Sequence, residues 1–394
     1  MRIRDNFTVD QIISAMKEHH GQVSDAAKAL STKEAKVSSQ LLRYWLSNEV
    51  ELQPATECAD SAEAIIANRR NHVAKLKSSR ELRKIADAIA CNDDFLGEFL
   101  SIVDNIDVGR IHHIKPKAKP AKKNMIAELN ISDVHWGVEI PGETNADLID
   151  LRIQEVVRGF IQKLEQHSMT FNIVEIKLLL NGDLVEIGSH GSTGAEMSNP
   201  EQVARAIESV SKYVLAPLGA LGYPMEVICI AGNHSYEGPG MQYSQGGRTT
   251  WDFVIYKSLE LISEKMFKGD RVKFTIPSGI WHVYEIFNEN CLVSHGTECK
   301  PTEAGLRGYA NKVGVITRKM IHNSTIGHFH VANIFCGGAH YSNGSMVRDE
   351  TGQAFSSSKG FECSPCQVSR FFIERDEGDR RGNIYDIFVL RTKN

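Results

Sequence analysis

The sequence has no long uninterrupted apolar run. Its most apolar stretch, 214–231, is broken by Pro217, Pro224 and Glu226, so it makes a poor membrane span. The opening residues Met1-Arg2-Ile3-Arg4-Asp5 lack the apolar core of a secretory signal. No disulfide framework is visible: eight cysteines lie scattered between positions 58 and 366, which favours reduced thiols and a cytoplasmic setting. Cys363-Ser364-Pro365-Cys366 is the single Cys-x-x-Cys. With no second pair it reads as a local turn more readily than as half of a zinc or redox site. There is no internal repeat of fixed period. There is also no strong excess of one charge, since 45 basic and 49 acidic groups leave −4 over 394 residues. That mean charge does not announce a nucleic-acid binder. What remains is ordinary: 42% hydrophobic and 24% charged residues exclude a disordered or fibrous chain. The length suits two or three domains of about 150 residues each. The 15 histidines are the feature that needs an explanation.

Splitting the chain at residue 123 separates two characters. Residues 1–123 carry 20 basic and 17 acidic groups, a net +3. Residues 124–394 carry 25 and 32, a net −7. Three zones follow: a small all-α domain at 1–52, a helical connector with a basic linker at 60–123, and a large α/β domain at 124–394. In the first zone Thr8 can cap a helix with Val9, Ile12, Ile13 and Met16 on one stripe. Gly21 ends it. Ser24 caps a second helix whose small apolar face is Ala26, Ala27, Ala29 and Leu30, and a third helix is expected over 36–46. This arrangement resembles a helix-turn-helix DNA-binding domain. The turn departs from that pattern, because no Gly follows Leu30 and residues 31–35 lengthen the connection, so a generic helical bundle is the alternative. If the unit binds DNA, Lys33, Lys36, Ser39, Gln40 and Arg43 are its contacts on the third helix.

Residues 60–108 have apolar spacing at Ile65, Ile66, Val73, Leu76, Leu82 and Ile85 without a sustained heptad. A helical hairpin or a short coiled coil joining a homodimer fits this. Residues 110–123 then hold six Lys/Arg and no carboxylate, with Pro116 and Pro120 preventing a helix. The segment is an extended basic linker, either a solvated tether or a strand that meets nucleic-acid phosphates.

From residue 124 short runs of Val, Ile and Leu alternate with longer amphipathic stretches. Strands are expected at 125–131, 173–180, 225–230, 291–293 and 324–326, and helices at 147–166, 200–216 and 250–267. This is an α/β pattern. His167 and His322, with His19, His20 and His72, are expected on helices as exposed or capping groups.

At five places an apolar run ends and ligand-type residues follow at once. They are Ser132-Asp133-Val134-His135, Asn181-Gly182-Asp183, Gly232-Asn233-His234, Ser294-His295-Gly296 and Gly327-His328-Phe329-His330. In an α/β sheet, loops at the carboxyl ends of strands converge on one site. Asp, Asn and His offer oxygen and imidazole nitrogen to ions such as Mn, Fe or Zn, and no cysteine is in the set. The alternation in Asp133-x-His135 and His328-x-His330 lets both members of each pair face one cavity.

This ordered series resembles the calcineurin-like metallophosphoesterases over about residues 124–350. The resemblance implies an αββα sandwich and two divalent metal ions, with Mn²⁺ favoured and Fe, Zn or Ni as alternatives. One ion would be held by Asp133, His135 and His330, the other by Asn233, His295 and His328, with Asp183 bridging both. His234 matches the family's catalytic histidine. A pair of cations about 3.5–4 Å apart can neutralise a phosphate and acidify a shared water, whose hydroxide attacks phosphorus. A protonated His234 can then serve the leaving oxygen. The sequence departs from the family at Ser235, where many members have an acidic residue. His190 and Trp136 are candidate substrate contacts, Trp136 with a packing role as the alternative, and the Gly-rich stretch 237–247 suits a substrate loop. Asn343-Gly344-Ser345 resembles a late loop of phage-type members.

Together, the helix-turn-helix-like unit, basic linker and phosphoesterase-like domain resemble phage-encoded proteins related to DNA repair exonucleases. The expectation is a DNA nuclease in the cytoplasm, or in the host cytoplasm if phage-encoded. The alternatives are a small-molecule phosphomonoesterase or nucleotide phosphodiesterase, which the acidic half favours, and a DNA-binding protein with an inactive phosphoesterase fold.

Overall fold

The computed structural model describes Ala15, Ala26, Ala27, Leu30 and residues 122–187, 197–236, 246–267, 271–350, 364–376 and 382–392. The chain divides into two units, Met1–Leu96 and Gly97–Asn394. In the first, Ala15, Ala26, Ala27 and Leu30 are helical and buried. The rest of the expected helix-turn-helix region lies outside the described residues. So do Lys33, Lys36, Ser39, Gln40, Arg43, the connector, most of the basic linker and Cys363.

The second unit is built on two sheets. The first has the order β11–β10–β1–β2–β3–β4, formed by β1 (Asn124–Ile131), β2 (Asn172–Asn181), β3 (Met225–Ile230), β4 (Val272–Thr275), β10 (Cys366–Ile373) and β11 (Ile384–Arg391). Strands β1 to β4 run parallel, β10 adds antiparallel to β1, and β11 adds antiparallel to β10. The second has the order β5–β6–β7–β9–β8, from β5 (Trp281–Ile286), β6 (Glu289–Ser294), β7 (Ile321–Ile326), β8 (Asn333–Phe335) and β9 (His340–Ser342).

Strand β1 is buried on both faces, as a central parallel strand must be when helices cover one side and another sheet the other. Its Ile126 joins Leu179, Ile228 and Ile230 in a core shared with Tyr284, Ile286, Cys291 and Val293 of the second sheet. Each such side chain contributes roughly 1.5–3 kcal/mol by burial. The outer face of the first sheet carries α1 (Ala146–Ser168) and α4 (Trp251–Met266), with α2 (Asn199–Val210), a π segment (Ser211–Leu215) and α3 (Ala216–Ala220) between them in sequence. Asn145 caps α1 by accepting from the Leu148 amide. Ile149, Ile153, Val156, Val157, Phe160 and Leu164 form its buried stripe, and the Phe160 ring lies 5.9 Å from Phe371 of β10. On the far side, α5 (Glu303–Thr317) packs Ala310 and Val313 against Leu292. The layers are therefore helix, sheet, sheet, helix. Among the described residues no helix is long and apolar enough to cross a membrane.

Two expectations change in detail. The helix expected to stop at 216 continues to Ala220 through the π segment, where one extra residue lets Pro217 enter near the start of the next turn. His322 lies on β7, not on a helix, and its Nδ1 accepts from the Asn290 amide at 3.0 Å.

Between the sheets lies a fully buried ion pair. Arg370 of β10 donates from Nε to Glu128 of β1 at 2.7 Å, and both side chains are 0% exposed. The hydroxyls of Tyr284 and Tyr341 donate to the same carboxylate. The guanidinium also stacks over the Tyr341 ring at 4.7 Å.

Candidate metal centre

Strands β1, β2, β3, β6 and β7 deliver their carboxyl-terminal residues to one place. Asp133, His135, Asp183, Asn233 and His295 are each buried. Their metal-binding atoms fall into three overlapping sets within 4.8 Å: Asp133, His135 and His330; His135, Asp183 and His234; and Asp183, His295 and His328. Asn233 joins through its Oδ1, 3.1 Å from His295 Nε2. The structure thus brings together all seven residues expected to ligate metal, with His234 beside them.

The backbone is bent to do this. Asp133, His135, Asp183, His328 and His330 all have positive φ, between 51° and 70°. Non-glycine residues adopt that region at a cost of order 1–3 kcal/mol each. Concentrated at one site, it places successive side chains where a regular strand would not. Gly232 gives the closest approach: a Cβ there would lie 2.0 Å from Asp183 Oδ1.

Hydrogen bonds fix which ring nitrogens face inward. Glu186 accepts from His135 Nδ1 at 2.6 Å and from His234 Nδ1 at 2.9 Å. The Asn181 carbonyl accepts from His295 Nδ1 at 2.8 Å. Carboxylate and carbonyl oxygens can only accept, so Nδ1 donates in each ring and Nε2 points into the centre. There His135 Nε2 lies 3.0 Å from His330 Nε2. His295 Nε2 lies 2.9 Å from Asp183 Oδ2. Lone pairs this close repel unless a cation, either a proton or a metal ion, sits among them. The donor set and its spacing therefore fit divalent ions.

Electrostatics show the same demand for positive charge. Burial would lower the His295 pKa, but the Asp183 carboxylate overrides it and pushes the group up to about 10. His234 is likewise lowered by burial but held up at about 9 by Asp183 and Glu186. Burial, with Asp183 nearby, raises Asp133 to about 6. His328 falls to about 4 through burial and the neighbouring His295, which makes it a neutral imidazole ready to ligate.

Several supporting residues had no signal of their own in the sequence. Asp252, in the first turn of α4, is 0% exposed. It accepts from the amides of Asp183 at 3.2 Å, Leu184 at 3.4 Å and Gly232 at 2.8 Å, and from the Ser235 hydroxyl at 3.0 Å. One carboxylate therefore ties two of the site loops together. Ser235 serves this tie, while Glu186 supplies the acid beside His234. The Asn343–Ser345 loop is also a brace. Asn343 donates to Ser132 Oγ at 2.9 Å, and the Ser345 hydroxyl donates to the Asp133 carbonyl at 2.7 Å.

Trp136 requires a correction. It is 0% exposed, and its indole N–H donates to Asp150 Oδ1 at 3.0 Å. It is a packing residue under α1 and cannot stack on a substrate. His190 and residues 237–245 lie outside the described residues.

No protein-family model and no curated protein sequence matches the chain. Solved structures do. The chain is similar to wild-type Vps29 complexed with Zn from Entamoeba histolytica, at 10% identity over 67% of this chain and 99% of that one, TM-score 0.28. It is also similar to a novel archaeal phosphodiesterase, at 11% identity over 67% and 99%, TM-score 0.28. A third likeness is to a conserved protein of Streptococcus pneumoniae described as a predicted phosphoesterase, at 12% identity over 67% and 98%, TM-score 0.26. At such distances the atoms of the site carry the functional argument.

Proposed function

We propose that the protein is a dinuclear-metal-dependent phosphodiester hydrolase acting on DNA. The observation that carries this reading is the convergence of inward-facing lone pairs on His135, His330, His295, Asn233 and Asp183 within about hydrogen-bond distance. Asp133, His135 and His330 would hold one divalent ion, and Asn233, His295 and His328 the other. Asp183 reaches both sets, and Mn²⁺ suits the nitrogen and oxygen donors. When bound, such ions neutralise phosphate charge and acidify water.

The chain's own residues supply the rest. In the metal-free chain Asp183 and Glu186 hold the His234 pKa up at about 9 against burial, and the ring is placed beside the centre to donate to the phosphate or to the leaving oxygen. Glu186 holds that ring through Nδ1, leaving Nε2 to face the reacting group. Asp252 fixes the Asp183 and Gly232 loops, so the geometry is preorganised rather than induced.

DNA as the substrate is supported by the six cationic residues of 110–123 and the helix-turn-helix-like pattern ahead of them. The test compares wild type with Asp183→Asn in Mn²⁺, on a phosphodiester, a phosphomonoester, and single- and double-stranded DNA. Diester and DNA hydrolysis lost in the variant is the expected result. Hydrolysis of the monoester alone overturns the nuclease reading, and equal activity in both proteins overturns the assigned centre.

A further inference from the structure

The loop after β2 carries both Asp183 and Glu186, and side chains from two helices hold its backbone. Asp252 of α4 accepts from the amides of Asp183 and Leu184. Glu186 is held by Gln202 of α2, which is 0% exposed. Its Oε1 accepts from the Glu186 amide at 2.9 Å. Its Nε2 donates to the Met197 carbonyl at 3.0 Å, just ahead of the helix. The loop after β1 meets the same side chain. Gly137 has a φ of +110°, and a Cβ there would lie 2.3 Å from Gln202 Cδ. The Gln202 amide therefore rests against the Gly137 backbone, where no other residue type fits.

These contacts ask for an amide. One end must accept from an N–H and the other must donate to a carbonyl. A carboxylate does only the first, and it would set a second buried negative charge near Glu186. What hangs on the Glu186 backbone is the orientation of two rings. His135 Nδ1 and His234 Nδ1 both donate to one oxygen, Glu186 Oε2, at 2.6 Å and 2.9 Å. A small shift of Glu186 therefore weakens two hydrogen bonds at once.

We propose that Gln202 is a positioning residue for the centre: it sets the Glu186 carboxylate and, through it, the ring orientations of His135 and His234. It touches neither a metal ligand nor the reacting group itself. Only the use of those rings in hydrolysis rests on the phosphodiester reading above.

Gln202→Met tests this, because it keeps the side chain's length and removes both hydrogen bonds. The first readout is proton NMR of the metal-free, histidine-labelled full chain. The Nδ1–H signals of His135 and His234 should shift and broaden, while that of His295, held by the Asn181 carbonyl, stays. The second is hydrolysis of a phosphodiester in Mn²⁺, where kcat should fall about tenfold with KM within about twofold. Gly137→Ala should reproduce both effects by pushing the amide aside, and the double variant should be no worse than either single one. Phe160→Leu, a cavity in the α1 core, is the control for lost stability alone and should leave the three signals in place. Unchanged His135 and His234 signals in Gln202→Met overturn the proposal, whatever happens to kcat. The same loss of signals in Phe160→Leu, or additive losses in the double variant, also overturn it. Shifted signals in a chain whose wild type hydrolyses no phosphoester would sustain the positioning role and sink the hydrolase reading. An active wild type with unchanged signals in Gln202→Met would do the reverse.

Discussion

Nε2 of His135 and Nε2 of His330 face each other at 3.0 Å, and the opposite nitrogen of His135 is held by Glu186 at 2.6 Å. A ring so tethered cannot turn its lone pair away. The two strand ends that carry these histidines, after β1 and β7, come from different sheets. The contact therefore exists only when the two-sheet sandwich is assembled, and it links the fold directly to a demand for a cation.

That demand predicts proton release. Without metal, His295 holds its proton up to about pH 10, and an ion needs the neutral ring. Metal affinity should therefore rise with pH until about pH 10. Calorimetry in buffers of different ionisation heat should show at least one proton expelled per protein at neutral pH. The sign for stability is the opposite. A raised folded-state pKa stabilises the metal-free protein fully below the ordinary histidine value of 6.5, and the gain is lost as pH rises through about 10. Metal-free protein should thus lose melting temperature across that window.

Gly232→Ala should disable the centre without unfolding the chain. The new Cβ would lie 2.0 Å from Asp183 Oδ1 and 2.2 Å from its amide nitrogen. Displacing a ligand by about 1 Å costs on the order of a hundredfold in rate. Gly308→Ala is the control, since nothing lies within 4 Å of its Cβ position. In helix α5 it should leave activity intact and raise stability by about 0.5–1 kcal/mol.

Glu186→Gln should lower kcat by about 10–100-fold while the metal content falls less. The neutral amide no longer holds the His234 proton. The alkaline limb of the kcat profile should move to lower pH, which a purely structural defect would not produce.

Arg370→Met should destabilise the fold by about 3–5 kcal/mol, because Glu128 is left charged and buried without its partner. Adding Glu128→Leu should recover most of the loss in urea unfolding, since the pair is then replaced by apolar side chains of similar size.

The parts of the site that end strands were legible in the chain. Asp133, His135, Asp183, Asn233, His295, His328 and His330 each follow an apolar run, and strand-end position is a local signal. Glu186 was not, because an acid three residues past Asp183 has no periodic meaning until two histidines from other loops meet it. Asp252 was hidden for a different reason. An acid in a helix's first turn is already explained by the helix dipole, and its tie to Gly232 spans 20 residues of sequence. Strand β10 went unseen because its pairing with β1 is remote along the chain, and β11 rests on β10 in turn. The choice between the two roles of Trp136 needed the helix that packs over it and supplies Asp150, and the placement of His322 needed the pairing of its strand with β6.

The central claim is that two ions share Asp183. Anomalous diffraction from crystals grown with Mn²⁺ tests it most directly. The account predicts two peaks, one within ligand distance of Asp133, His135 and His330 and one of Asn233, His295 and His328, each about 2.0–2.2 Å from an Asp183 oxygen. A single peak, or peaks away from Asp183, would contradict it.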